Sequence, residues 1–96
     1  MITSKQRSYL RTIANPLQPL FQLGKAGVEV NFLKQVEDAL ESREIIKIKV
    51  LNNSGLTARE ASDIICEAIG AEGVQSIGSK CVFYKRSLKK PTIELP

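Results

Sequence analysis

The tightest constraint on the fold is the succession of a strand, a glycine-bracketed turn, a helix and a second strand between residues 20 and 50. Leu20-Phe21-Gln22-Leu23 is a short apolar run, and Gly24-Lys25-Ala26-Gly27 follows it directly. Glycine permits a tight turn there because it has no Cβ and takes positive φ at no steric cost. Residues 30–42 then place Phe32, Leu33, Val36, Ala39 and Leu40 within a helical arc of about 120°, with Lys34, Glu37, Asp38 and Glu41 opposite. Ile46, Ile48 and Val50 alternate with Lys47 and Lys49, the pattern of a strand with one buried and one wet face. Strand-helix-strand units imply right-handed crossovers, so the chain is expected to form an α/β domain.

The flanking segments extend that unit. Thr3 with Gln6 forms a capping box whose helix should run to about residue 14, where Asn15-Pro16 stops it. Gln6, Tyr9, Leu10, Ile13 and Ala14 share its core side; Arg7 and Arg11 lie about 40° apart on one flank, with Lys5 on the other. Asn52-Asn53-Ser54-Gly55 reads as a turn, and Thr57 with Glu60 as a second capping box opening a helix that ends at Ile69 and is closed by Gly70. Its apolar face is Ala58, Ala61, Ile64, Ile65, Ala68 and Ile69. Residues 74–77, the turn Gly78-Ser79 and residues 80–84 form a hairpin. The tail, residues 85–96, is basic at first and either docks or hangs free. The expected order is α-β-α-β-α-β-β in a single domain over residues 1–96, of the α+β two-layer type, with a four-stranded mixed sheet and helices packed on it.

Several functions are disfavoured by what is missing. No apolar run approaches the roughly 20 residues that span a bilayer, and the start of the chain lacks an apolar leader region, so no membrane role and a cytoplasmic location are expected. The chain has no histidine, and Cys66 and Cys81 are too far apart for a Cys-x-x-Cys unit. No metal site and no cofactor are therefore expected, and both cysteines read as small buried hydrophobes. General acid-base chemistry usually wants histidine or paired carboxylates of unlike pKa, and the acids here lie mostly on outer helix faces. The spacing Gly-x-x-x-x-Gly-Lys-Ser/Thr is absent as well. No catalytic residue is assigned, and the chain is not expected to be an enzyme.

Charge is segregated. Residues 1–30 carry a net +3, residues 31–73 a net −3 and residues 74–96 a net +4. Basic ends around an acidic middle give a one-sided footprint suited to nucleic acid, or simply solvated faces. The turn at residues 24–27 would deliver unpaired N–H groups and the positive end of the following helix to an anion, with Lys25 adding a mobile point charge. Arg7 and Arg11 make a ridge with phosphate spacing.

Taken together, these stretches resemble the CRM domain, the RNA-binding module represented in bacteria by small YhbY-like ribosome-assembly proteins. The resemblance rests on Thr3-Ser4-Lys5-Gln6-Arg7 with Leu10-Arg11; on Leu23-Gly24-Lys25-Ala26-Gly27-Val28; on residues 39–50; on Val74-Gln75-Ser76-Ile77-Gly78; and on Val82-Phe83-Tyr84-Lys85 with Ile93-Glu94-Leu95-Pro96. It implies a fold like the C-terminal domain of translation initiation factor three and binding to ribosomal RNA in large-subunit precursors. It also implies that Gly24, Lys25, Ala26 and Gly27 clamp backbone as the Gly-x-x-Gly loop of KH domains does, with Lys5, Arg7 and Arg11 as further contacts. Lys80, Lys85 and Arg86 would extend the track. Tyr9 or Tyr84 could stack on a base, while Phe21, Phe32 and Phe83 are better placed in the core. The protein is expected to be a monomer. The alternative is a protein-binding adaptor that turns its acidic helix faces to a ribosomal protein or an assembly GTPase.

Overall fold

Capping fixes where two of the three helices begin. In the computed structural model, which describes residues 2–96, the Thr3 hydroxyl accepts the Gln6 amide at 3.1 Å while the Gln6 side chain accepts the Thr3 amide at 2.9 Å. That box starts α1 (Ser4–Ala14). Thr57 and Glu60 repeat the arrangement at the head of α3 (Ala58–Ile69), which Gly70 ends in the left-handed conformation. Between them lie β1 (Phe21–Leu23), α2 (Val30–Arg43), β2 (Ile45–Val50) and a 3-10 turn (Asn52–Ser54); β3 (Glu72–Ile77) and β4 (Lys80–Tyr84) follow α3.

The four strands form one mixed sheet in the order β1-β2-β4-β3. β1 runs parallel to β2 with Phe21 beside Ile48 and Leu23 beside Val50, the pairing that the crossover through α2 allows. β4 is antiparallel to both β2 and β3, so the last strand of the chain sits inside the sheet and β3 takes an edge. Alternation along the strands then sorts the core. Leu23, Ile46, Ile48, Val50, Cys81 and Phe83 face α2 and α3, where Val36, Leu40, Ala61 and Ile65 meet them. Ile45, Val74, Val82 and Tyr84 face the other way, against Leu10 and Ala14 of α1, with Ile93 and Leu95 of the tail at the margin. The layer of α2 and α3 is thus complete, whereas α1 and the tail cover only part of the opposite sheet face.

Three details depart from the periodicity. On α3 the buried stripe is Ala58, Ala61, Ser62 and Ile65, while Ile64 is 43% exposed and Ala68 is exposed. The reason lies across the interface: Gly73 has no side chain, and a Cβ there would stand 3.3 Å from Ser62 Oγ, so the helix can approach along its Ser62 side. Tyr9, expected on the core side of α1, is 42% exposed. β3 begins two residues earlier than the hairpin pattern indicates and contains an irregularity between Gly73 and Gln75, which lets Val74 reach the α1 core.

The tail is docked. Glu44, immediately after α2, is 1% exposed, and its carboxylate accepts the amides of Ser87 at 2.8 Å, Thr92 at 2.7 Å and Ile93 at 2.8 Å together with the Thr92 hydroxyl at 3.0 Å. Glu41, one turn earlier, accepts the Ser87 hydroxyl and the amides of Leu88 at 2.9 Å and Lys89 at 3.2 Å. Two carboxylates therefore supply the acceptors that a segment without regular structure otherwise lacks.

Candidate nucleic-acid interface

The loop after β1 is a closed, exposed turn. The Gly27 amide donates to the Gly24 carbonyl at 3.0 Å, leaving Lys25 and Ala26 at the tip, both exposed. Gly27 carries the positive φ, 75°, and Ala26 does not, so the central residues need no strained backbone. Gly24 serves differently: a Cβ there would meet Leu51 Cδ1 at 3.6 Å and Asn53 Oδ1 at 3.7 Å, ordinary contacts against the neighbouring 3-10 turn. One expectation needs correction. The Gly27 amide is spent on closing the turn, so it is not among the N–H groups offered outward. The helix that follows compensates in part, because Glu29 at its N-cap makes no side-chain hydrogen bond and Val30 in the first turn is 81% exposed. The positive end of α2 is open to solvent beside Lys25.

Strand directions bring three loops to this end of the sheet. The Leu51 amide donates to the Leu23 carbonyl at 2.9 Å, and the Val50 amide to the Ser79 carbonyl at 2.6 Å, which ties together the glycine turn, the 3-10 turn and the β3-β4 turn. Lys80, at the start of β4, is exposed here. Lys25 and Lys80 are therefore on one end of the molecule, although 55 positions separate them in the chain.

Arg7 and Arg11 lie along the other edge. Together with Arg59, Ser62 and Gln75 they line a groove of about 630 Å³ that follows β3 between α1 and α3. Arg7 Nε donates to the Gly73 carbonyl at 3.2 Å, so this guanidinium also blunts the open edge of the sheet. Arg11, one turn further on, is exposed. Arg59 was missed by sequence reasoning, since on α3 alone it is one more outward charge; only the groove reveals it facing α1, and there it pairs with Asp63 at 3.5 Å. Lys5 is exposed on the first turn of α1, where Ile2 meets Glu72; Glu72 pairs with Tyr84, so Lys5 stands at the end of the sheet away from the glycine turn.

Two expected contacts are not brought to this surface. Lys85 Nζ donates to the Ile69 carbonyl at 2.8 Å, closing the last turn of α3, and pairs with Glu37 at 3.4 Å. Arg86 is exposed beside it, in a shallow depression that also holds Asp38 and Glu41. These bases follow the C-terminus of β4, at the end of the sheet away from the glycine turn, and they face carboxylates. Tyr84 is 5% exposed and packs in the α1 core, which leaves Tyr9 as the tyrosine accessible for stacking. Phe83 is fully buried and Phe21 packs edge-on against Phe32, as expected of core aromatics.

Cysteine chemistry finds little support in the geometry. Burial pushes the Cys81 thiol up to about 11 and raises that of Cys66, so both are thiols at neutral pH; Cys81 Sγ donates to the Ala58 carbonyl at 3.0 Å. What the surface can do is hold a polyanion at several points, through ammonium and guanidinium groups and the open end of a helix.

Comparison with known proteins gives a consistent pattern. The profile of the CRS1 / YhbY (CRM) domain matches residues 2–85. The Bacillus subtilis protein YqeI, named a probable RNA-binding protein, is 42% identical over 96 residues, covering all of both chains. A Haemophilus influenzae protein named an RNA-binding protein is 33% identical over 95 residues, covering 99% of this chain and 95% of its own. Among solved structures, that of Staphylococcus aureus SAV1595 matches along the full length of both chains, with a TM-score of 0.79 and 41% identity.

Proposed function

This chain belongs to the CRS1 / YhbY (CRM) domain family, and from that membership together with the geometry above we propose that it is an RNA-binding protein acting in assembly of the large ribosomal subunit. It grips the backbone of ribosomal RNA in a precursor particle through Gly24, Lys25, Ala26 and Gly27 and the open start of α2. Arg11, Arg7 and Lys80 extend the grip, and Lys5 adds long-range attraction. The observation that carries this reading is the exposed turn at residues 24–27, which holds a cation at its tip and a free helix end behind it. The named functions of the full-length relatives support the RNA partner. Such contacts position a backbone and read little sequence, so affinity depends steeply on salt. The reading includes no catalysis and no cofactor, and it places the protein in the cytoplasm as a monomer.

The test is a titration of a structured ribosomal RNA fragment over a salt series. Lys25→Ala and Arg11→Ala should each weaken binding several-fold and reduce the slope of log K against log salt by about one. Arg11→Ala is the cleaner arginine variant, because Arg7→Ala also removes the bond to Gly73. Binding by both variants that equals the parent protein at moderate salt would refute the assignment.

An adaptor role through the acidic faces is less well supported. Glu41 is engaged by the tail and Glu37 by Lys85, which reduces the acidic surface that α2 offers to a basic ribosomal protein or a GTPase. Association with pre-ribosomal particles that survives RNase treatment would favour that role instead.

A further inference from the structure

The sheet face on the α1 side is only partly covered, and lysines stand where the cover ends: Lys80 is exposed, and Lys47 and Lys49 are half-buried. Ile48 and Cys81 point into the α2-α3 core, so strand alternation turns Lys47, Lys49 and Lys80 to the opposite face, where Val82 meets α1. Cross-strand register lines up Gln22, Lys49, Lys80 and Ile77 in one row across β1, β2, β4 and β3. The row spans three strand spacings, about 14 Å. At its β1 end stands the turn with Lys25; at its β3 end, Ile77 is 65% exposed and shares the groove with Arg11.

The row is electrostatically unbalanced. Lys49 and Lys80 are directly paired across β2 and β4, and like charges in that position destabilise a sheet. Among the described residues, the side-chain ion pairs are Arg59 with Asp63 and Lys85 with Glu37, and neither involves this row. A polyanion laid across the strands relieves the repulsion at several points at once. The row carries no aromatic side chain, so it can hold phosphates but offers no platform for base stacking. The lysines also stand on strands whose positions the core fixes, unlike Lys25 on its turn.

We propose that Lys47, Lys49 and Lys80 form a phosphate-binding track that carries an RNA backbone across the open sheet face, from the Lys25 turn at the β1 edge to Arg11 at the β3 edge. The proposal rests on the RNA-binding reading above and adds the path of the ligand to it. The experiment uses the full chain and a ribosomal RNA stem-loop, with binding followed by fluorescence anisotropy over a salt series. The triple variant Lys47→Gln/Lys49→Gln/Lys80→Gln should lose roughly two to three from the salt slope, since each phosphate contact contributes about 0.7 to 0.9. The single variant Lys49→Gln should lose about one. Without RNA, the thermal midpoint of Lys49→Gln should equal or exceed that of the parent, because one of two facing charges is gone; this separates a binding defect from a folding defect. A parent-like slope and affinity in the triple variant, while Lys25→Ala still weakens binding, would overturn the track and leave the RNA-binding reading standing. Absence of salt-dependent binding by the parent protein would overturn both.

Discussion

Glu44 holds φ at 65°, a conformation that favours glycine and costs a side-chain-bearing residue about 1 to 2 kcal/mol. The carboxylate offsets that cost by gathering the amides of Ser87, Thr92 and Ile93. Burial alone would push this carboxyl up, but the hydrogen bonds outweigh it and hold it at about 2, below its ordinary 4.5. A depressed folded-state pKa means stability that is fully present above pH 4.5 and lost as pH falls through about 2. Glu44→Gln should therefore cost about 3 kcal/mol at neutral pH, and the gap between variant and parent in denaturant midpoints should close progressively between those two values. A gap that stays constant across that range would show that the charge is immaterial. At the glycine turn, the two positions should respond differently. Gly27→Ala forces a Cβ onto positive φ and should cost about 1 kcal/mol, whereas Gly24→Ala, with ordinary φ and contacts of 3.6 Å or more, should stay near neutral in thermal melts.

At the scale of elements, the capping boxes and the tail set local stability. Thr57→Ala removes the acceptor for the Glu60 amide and should destabilise the domain by about 1 kcal/mol, measurable in urea unfolding. The docked tail makes a sharper prediction. Residues 87–93 have few backbone partners other than Glu41 and Glu44, so hydrogen exchange at Ser87, Thr92 and Ile93 should accelerate in Glu44→Gln while the amides of β2 and β4 remain protected. Equal acceleration in the strands would mean instead that the tail and the sheet unfold as one unit. The docking also explains why a run of bases counted at the end of the chain does not extend the cationic surface. Lys85 closes α3 and pairs with α2, and the backbone of Ser87 to Lys89 is drawn onto Glu41 and Glu44.

Over the whole molecule, the segregation of charge along the chain becomes segregation by surface, but not segment for segment. Lys25 and Lys80 come from the basic ends, whereas Lys47 and Lys49 lie in the stretch that is acidic in balance, and strand pairing sets them beside one another. The residue string alone set the elements, because caps, glycines and apolar periods are local: Thr3, Thr57 and Gly70 bound helices through contacts within a few residues. It likewise determined the exposed Gly-Lys-Ala-Gly turn, which depends on bonds spanning only four positions. Tertiary structure decided the rest. Insertion of β4 between β2 and β3, the facing of Lys49 with Lys80, the anchoring of Lys85 and the capture of the tail by Glu44 all join residues tens of positions apart. Periodicity reports which side of an element is wet, and only the assembled sheet fixes which wet sides lie next to each other, since pairing depends on non-local burial and hydrogen bonding that no short window of sequence contains.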